Sequence, residues 1–332
     1  MAVIPSGFLV PSKTKGALTV FDLNTKESMQ TAYQLTSGDD SDWFYHRALW
    51  LDMDGDGKED LVTCRAKKPI FGQQKGELLW FKQPDTATPW SQKWEKTILY
   101  KSLADTFLIS VQIKSGHKTV QAIITAGYFS KSLVIWWRTD ESKPWTSDNL
   151  EKRIIDSGVG NTFDVIHADL NGDGVAELLV TYNRPSNGTV FVYETSGDFR
   201  MDTVKKHMIM SGLTPAKRGT GKGAPGGIQL TWPDLRKTKG RPDIILSGDD
   251  DGKIYLLRAN DSTSWKYTAT ALLDASPGTV GAMAVGDINN DYYPEIIVPL
   301  YNDNKITILS YNPLSHQQNS QTNIKPDSFG RF

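Results

Sequence analysis

Asp52-Met53-Asp54-Gly55-Asp56-Gly57-Lys58-Glu59-Asp60 is the stretch on which the reading of this chain turns. It places an oxygen-bearing side chain at positions 1, 3, 5 and 9, with glycine at 4 and 6. The pattern returns as Asp169-Leu170-Asn171-Gly172-Asp173-Gly174-Val175-Ala176-Glu177 and as Asp287-Ile288-Asn289-Asn290-Asp291-Tyr292-Tyr293-Pro294-Glu295. The first residues of the three copies lie 117 and 118 positions apart, the mark of a repeat architecture. Each copy follows a short apolar run and leads at once into another, Leu61–Thr63, Leu178–Thr181 and Ile296–Pro299. A tightly turned loop rich in carboxylate and amide oxygen is what a hard cation such as Ca²⁺ requires.

An EF-hand is the nearest rival, and it fails. That loop needs a bidentate Glu at position 12 and a helix on either side. Position 12 here is Thr63, Val180 or Val298, each inside a β-like run. A strand–loop–strand calcium site is the expectation. Its ligands would be the side chains of Asp52, Asp54, Asp56 and Asp60; of Asp169, Asn171, Asp173 and Glu177; and of Asp287, Asn289, Asp291 and Glu295. The carbonyls of Lys58, Val175 and Tyr293, at position 7, complete the three sets. Asx turns without metal are the plainer alternative.

Composition narrows the partners. The 37 basic and 38 acidic side chains leave a net charge of −1, which gives no reason to expect nucleic acid or an anionic membrane. No apolar run approaches the roughly 20 residues of a membrane span. Cys64 stands alone, so an internal disulfide is impossible and any staple must be metal. The opening Met1-Ala2-Val3-Ile4-Pro5 lacks the basic and apolar regions of a signal peptide. The chain is expected in the cytoplasm if this is its native start, and outside the cell if a signal has been removed. Calcium loops of this kind suit millimolar extracellular Ca²⁺, which favours secretion.

Two more copies of the strand–loop–strand pattern have lost the acids. Phe107–Gln112 and Val120–Thr125 flank a loop with Lys114, His117 and Lys118; Ile228–Trp232 and Asp243–Ser247 flank one with Arg236, Lys237, Lys239 and Arg241. Such loops are expected not to hold a divalent cation. Third strands follow at Glu77–Lys82, Ser132–Arg138, Thr189–Glu194, Lys253–Arg258 and Lys305–Tyr311, with more polar fourth strands after most of them. Phe8–Pro11, Gly16–Leu23 and Gln30–Leu35 read as strands two to four of a first copy. Four-stranded units that cannot bury their faces alone must stack. The expectation is an all-β fold, a single β-propeller of six four-stranded blades over residues 1–312, with seven or five blades as alternatives. The calcium loops then join strands 1 and 2 of alternate blades. Residues 313–332 read as a disordered polar tail.

Apolar strand, D-x-D-G-D-G-x-x-D/E, apolar strand resembles the FG-GAP/VCBS repeats of integrin α-subunit propellers. Similar repeats occur in integrin-like fungal lectins and in the propeller of aldos-2-ulose dehydratase-type proteins. The resemblance implies calcium in loops on one face, mostly structural and remote from the usual ligand face. It leaves function open, because this fold carries lectins, receptors and enzymes.

The innermost strands of a propeller line its channel, and two histidines fall on them, His46 and His167. With Tyr45, Arg47 and Asp164 they form a candidate polar cluster for acid–base work or sugar binding. The plainer reading makes them hydrogen-bonded fillers, since no third metal ligand or nucleophile stands at diagnostic spacing. Lys13, Arg65, Tyr128, Asn183, Arg184, Asp249 and Tyr301 end the second strands beside them, a mixture suited to carbohydrate or another polar small molecule. Asp249-Asp250-Asp251-Gly252 reads as a hairpin turn. The functional expectation is a calcium-stabilised, lectin-like binding protein with its site on the channel face. A lyase, isomerase or cyclase using His46 and His167 is one alternative, and a protein-interaction scaffold another.

Overall fold

A computed structural model of the protein describes residues 1–7, 15–23, 32–36, 42–67, 74–86, 89–158 and 160–313. It contains six antiparallel sheets, each a meander or part of one. The first is β1 (Ala2–Pro5), β2 (Leu18–Phe21) and β3 (Ala32–Gln34); the second is β4 (Phe44–Leu51), β5 (Asp60–Lys67), β6 (Lys75–Lys82) and β7 (Glu95–Lys101). The third is β8 (Phe107–Ser115), β9 (Lys118–Gly127), β10 (Ser132–Arg138) and β11 (Leu150–Ser157); the fourth is β12 (Asn161–Ala168), β13 (Glu177–Asn183), β14 (Gly188–Glu194) and β15 (Lys205–Leu213). The fifth is β16 (Ile228–Thr231), β17 (Asp243–Ser247), β18 (Lys253–Ala259) and β19 (Tyr267–Asp274); the sixth is β20 (Ala284–Gly286), β21 (Glu295–Leu300) and β22 (Lys305–Ser310). The only helical elements among the described residues are four single 3₁₀ turns. Six such sheets are the blades of a six-bladed β-propeller.

The chain divides into two compact units. One comprises Met1–Thr162 with Gly197–Asp202, and the other Phe163–Ser196 with Thr203–Phe332. In the first unit the strands of blade two are buried on both faces, and the two-residue period decides which side chain goes where. Val62, Cys64, Leu78 and Trp80 join one core cluster with Ile123, Val134, Trp136 and Trp145. Leu61, Leu79 and Phe81, one residue out of step, join a second cluster with Leu18, Val20, Tyr45 and Trp94. The same alternation runs in the second unit. Ile244 and Leu246 of β17 enter one cluster, and Ile245 between them enters another with Val280, Ile296 and Val298. Fully burying such a side chain is worth about 1.5–3 kcal/mol, so a one-residue slip of register would forfeit several of these at once.

Cys64 lies fully buried within β5, where burial pushes its thiol well above the ordinary range. It behaves as a small core hydrophobe. The first blade differs from the sequence expectation. Its first strand is Ala2–Pro5, paired antiparallel from Ala2↔Phe21 to Pro5↔Leu18, and it packs beside β4, where Gly7 bridges Tyr45. The expected strand Phe8–Pro11 and the rim residue Lys13 lie outside the described residues, as do positions 314–332 of the expected tail. Blades one and six show three strands among the described residues instead of four.

Candidate metal centres

The three acidic loops join β4 to β5, β12 to β13, and β20 to β21, which are first and second strands of blades two, four and six. All three close on one hydrogen-bond skeleton. The position-1 carboxylate accepts two backbone N–H groups across the turn. In the first loop Gly55 and Gly57 donate to Asp52 Oδ1 and Oδ2 at 2.7 and 3.0 Å, and in the second Gly172 and Gly174 donate to Asp169 at 2.7 and 2.8 Å. In the third, Asp291 and Tyr292 donate to Asp287 at 3.1 and 2.9 Å. Position 3 accepts from the N–H of position 5, and position 5 from that of position 7, as Lys58, Val175 and Tyr293 donate to Asp56, Asp173 and Asp291 at 2.9, 2.7 and 2.8 Å. Position 9 reaches back to the N–H of position 2: Met53 to Asp60 at 3.0 Å, Leu170 to Glu177 at 2.8 Å and Ile288 to Glu295 at 3.1 Å.

Positions 4 and 6 must turn left-handed to permit this. Gly55, Gly57, Gly172 and Gly174 do so with φ between 81° and 85°. The third loop asks the same of Asn290 (φ 61°) and Tyr292 (φ 70°), where a side chain makes the conformation costly and the surrounding bonds hold it.

What lies inside the skeleton separates the loops. Asp52, Asp54 and Asp60 each offer a carboxylate oxygen within 4.8 Å of the others, and this oxygen set fits a divalent cation. The ion would draw Asp52, Asp54, Asp56 and Asp60 together and cross-link the β4–β5 hairpin. Lys82, at the end of β6, points its ammonium into the same cluster, bonded to Asp54 and 3.0 Å from Asp56 Oδ2. These bonds raise the lysine above its ordinary range and, together with the Lys58 N–H, hold Asp56 below its own. Asp60, by contrast, is raised by burial, opposed by the Gln83 and Met53 N–H groups. In the second and third loops the inward atom of position 3 is an amide nitrogen. Asn171 Nδ2 donates to Asp173 at 3.0 Å and Glu177 at 3.2 Å; Asn289 Nδ2 donates to Asp291 at 3.1 Å and Glu295 at 3.4 Å. Asn312 Nδ2 adds a bond to Asp291 at 2.6 Å. Burial and the carboxylates of Asp173 and Asp169 push Glu177 up to about 7.

The two acid-free connections are built differently. β8 and β9 meet in a tight turn at Gly116-His117 (Ser115↔Lys118). Between β16 (to Thr231) and β17 (from Asp243) the chain makes a longer loop.

The channel candidates fall in both units. Tyr45, His46 and Arg47 stand on β4 in the first, Asp164 and His167 on β12 in the second. Tyr45 is fully buried, its hydroxyl accepting from Arg65 Nη1 at 3.4 Å. His46 packs 4.8 Å from the Phe107 ring, and burial, with Arg47 beside it, lowers its pKa to about 4. The Arg47 guanidinium lies 4.9 Å from the centre of the same ring. Asp164 spends its carboxylate on backbone, accepting from Val165 at 2.8 Å and Ile228 at 3.0 Å. Burial lowers the pKa of His167 as well. Both imidazoles are therefore neutral at pH 7.

Sequence reading passed over two pairings. Arg65 forks onto Glu77 at 2.8 and 2.6 Å in a buried pair, the guanidinium lying 4.2 Å from the Trp43 ring. Arg65 and Glu77 are direct cross-strand partners, so the β5–β6 hairpin register held the signal. Lys82 follows from the same register, one position beyond the Leu61↔Phe81 pair and opposite Asp60. Asp249–Asp251, read as a turn, forms a 3₁₀ turn closed by Gly252 at φ 79°.

Residues 239–298 match the family model described as an FG-GAP-like repeat. The matched stretch takes in β17 to β20 and the third acidic loop, and ends within β21. No curated protein matches the chain. The repeat match and the six blade-type sheets together support an FG-GAP β-propeller. Among the described residues no helix is long and apolar enough to cross a membrane.

Proposed function

We propose that this protein is a calcium-stabilised propeller that works as a binding module, taking up a carbohydrate or another polar small ligand on the face formed by the loops leading into its innermost strands. The observation that carries the calcium half is the convergence of Asp52, Asp54 and Asp60 oxygens within 4.8 Å, on a backbone skeleton repeated in two further loops. A bound ion would act on stability, because it cross-links a hairpin that the unfolded chain cannot preform. Binding is favoured over catalysis by the state of the channel candidates. Two neutral imidazoles and a carboxylate engaged with backbone suit a rigid, hydrogen-bonding surface better than a proton relay. Action outside the cell, where Ca²⁺ is millimolar, belongs to the same proposal.

Calorimetric titration of the chelated protein with Ca²⁺ should show at least one tight site that Asp54→Ala removes. A glycan array probed with and without calcium tests the ligand. Binding that survives in the His46→Ala, His167→Ala double variant supports a recognition surface; a turnover that this variant abolishes would replace it with the enzyme reading.

A further inference from the structure

The loop between β16 and β17 occupies the place in blade five that the acidic loops occupy in blades two, four and six, and its chemistry is inverted. It forms one wall of an open cleft of about 370 Å³, shared with the β18–β19 turn and with Asn171 of the second acidic loop. Lys237, Lys239, Arg241 and Arg258 bring four cationic side chains to this cleft, which Trp232 also lines. Its two acids are already engaged. Asp243 is forked by Arg258, with Nε at 2.9 Å, and receives the Tyr311 hydroxyl at 3.1 Å. Asp261 accepts four bonds within its own turn, from Thr263 N and Oγ1 at 2.8 and 3.2 Å and from Ser264 N and Oγ at 2.6 Å each. Those bonds hold it far below the usual carboxylate range. Lys237 lies 3.7 Å from Asp234, a carboxylate that Arg236 already forks, and the positive charge of Lys239 and Arg241 faces the cleft beside it.

The loop is also held in shape before any ligand arrives. Leu235 donates its N–H to Tyr292 O at 2.9 Å, and Arg236 forks Asp234 and lies 5.4 and 5.1 Å from the rings of Tyr292 and Tyr293. Trp232 Nε1 donates to Gly240 O at 3.4 Å, tying the two ends of the loop together. Arg241 lies 4.7 Å from the Trp265 ring and donates through Nη1 to Ser264 O. Its Nε is buried without a hydrogen bond. Preordered cations and an indole lining one cleft suit a ligand that joins a negative group to a flat apolar face.

We propose that this cleft binds an acidic saccharide, its sulfate or carboxylate groups on Lys237, Lys239 and Arg241 and a sugar ring against Trp232. The site is separate from the channel face. Lys237 and Lys239 are exposed, so reversing them leaves the core intact. The test titrates three oligosaccharides of equal length, one sulfated, one carrying only uronate carboxylates and one neutral, into the full chain at about 0.15 M salt, where loose electrostatic contacts are screened. The sulfated or the uronate ligand should bind at least tenfold more tightly than the neutral one. The Lys237→Glu, Lys239→Glu double variant should lose at least tenfold, and Trp232→Ala several-fold. Uronate binding at parity with sulfated sugar identifies carboxylate as sufficient; a preference for sulfated sugar identifies sulfate. Equal binding of the neutral sugar, no loss in the lysine variant, or competition by inorganic sulfate at equal concentration would overturn the proposal. Asp54→Ala reports on calcium and leaves the cleft untouched, so this reading and the calcium reading fail separately.

Discussion

In blade two acids lead into the second strand and bases leave it; in blade five the order is reversed. Asp52–Asp60 precede the body of β5, and Arg65 and Lys67 end it. Lys237, Lys239 and Arg241 precede β17, and Asp249, Asp250 and Asp251 follow it. Between these ends both strands are built alike, with apolar side chains entering the core on both faces. The blade is held by that alternation, and the connections are free to take either sign of charge.

The far ends of the two strands show how each balances its charge. In blade two Arg65 is buried against Glu77. In blade five Asp250 accepts from Lys222 Nζ at 2.6 Å, from Thr279 Oγ1 at 2.6 Å and from Gly223 N at 3.0 Å. Asp249, with φ 56°, is pushed up to about 7 by burial and by the neighbouring Asp250, and takes one bond from Asn183 Nδ2 at 3.3 Å.

The strongest way to break the comparison is to remove Asp60. Met53 and Gln83 would both lose a buried acceptor, and Asp60→Ala should cost about 2–4 kcal/mol, read as a fall in urea midpoint. The exposed Asp261 of blade five, changed to Ala, should move the midpoint little; equal losses would deny that the acidic loop is special. Calcium comes next. At a hundredfold excess over Kd it should add about 2.7 kcal/mol, removable by chelation and largely absent in Asp54→Ala. An unchanged melting temperature on chelation would remove the metal from blade two.

The titration of Asp249 sharpens the other end. Its folded pKa lies above the ordinary value of 3.8, so the folded protein keeps a proton that the unfolded chain gives up. The associated stability is fully present below about pH 4 and is lost as pH rises towards 7, up to about 4 kcal/mol. Asp249→Asn should flatten that decline; an unaltered pH profile would show the carboxylate to be ionised throughout. The smallest effect is expected at Lys82. Its ammonium competes for Asp54 and Asp56, so Lys82→Met should raise calcium affinity a few-fold in a calorimetric titration. Weaker binding in that variant would mean that the lysine assists the ion.

The blades were legible in the sequence because a strand buried on both faces leaves long apolar runs between turn residues, as in Leu61–Thr63 and Ile244–Leu246. Ser132–Arg138 was readable to the residue. Ala2–Pro5 was not, since four residues ending in proline carry little local signal and become a strand only by pairing with β2. The acidic loops were legible because their chemistry is contiguous. Lys82 reaches Asp54 from another hairpin, and the blade-five cleft gathers residues from three connections, so neither can be read along the chain.

The ammonium of Lys82 has one last implication, for the order of events in folding. A cluster of carboxylates normally repels itself until a metal arrives, yet here the β6 hairpin delivers a positive charge to Asp54 and Asp56 by itself. The hairpin can therefore close in calcium-poor surroundings, and the amides of Gly55 and Gly57 should resist hydrogen exchange even in chelated protein. A calcium ion taken up by this loop would then exchange one countercharge for another.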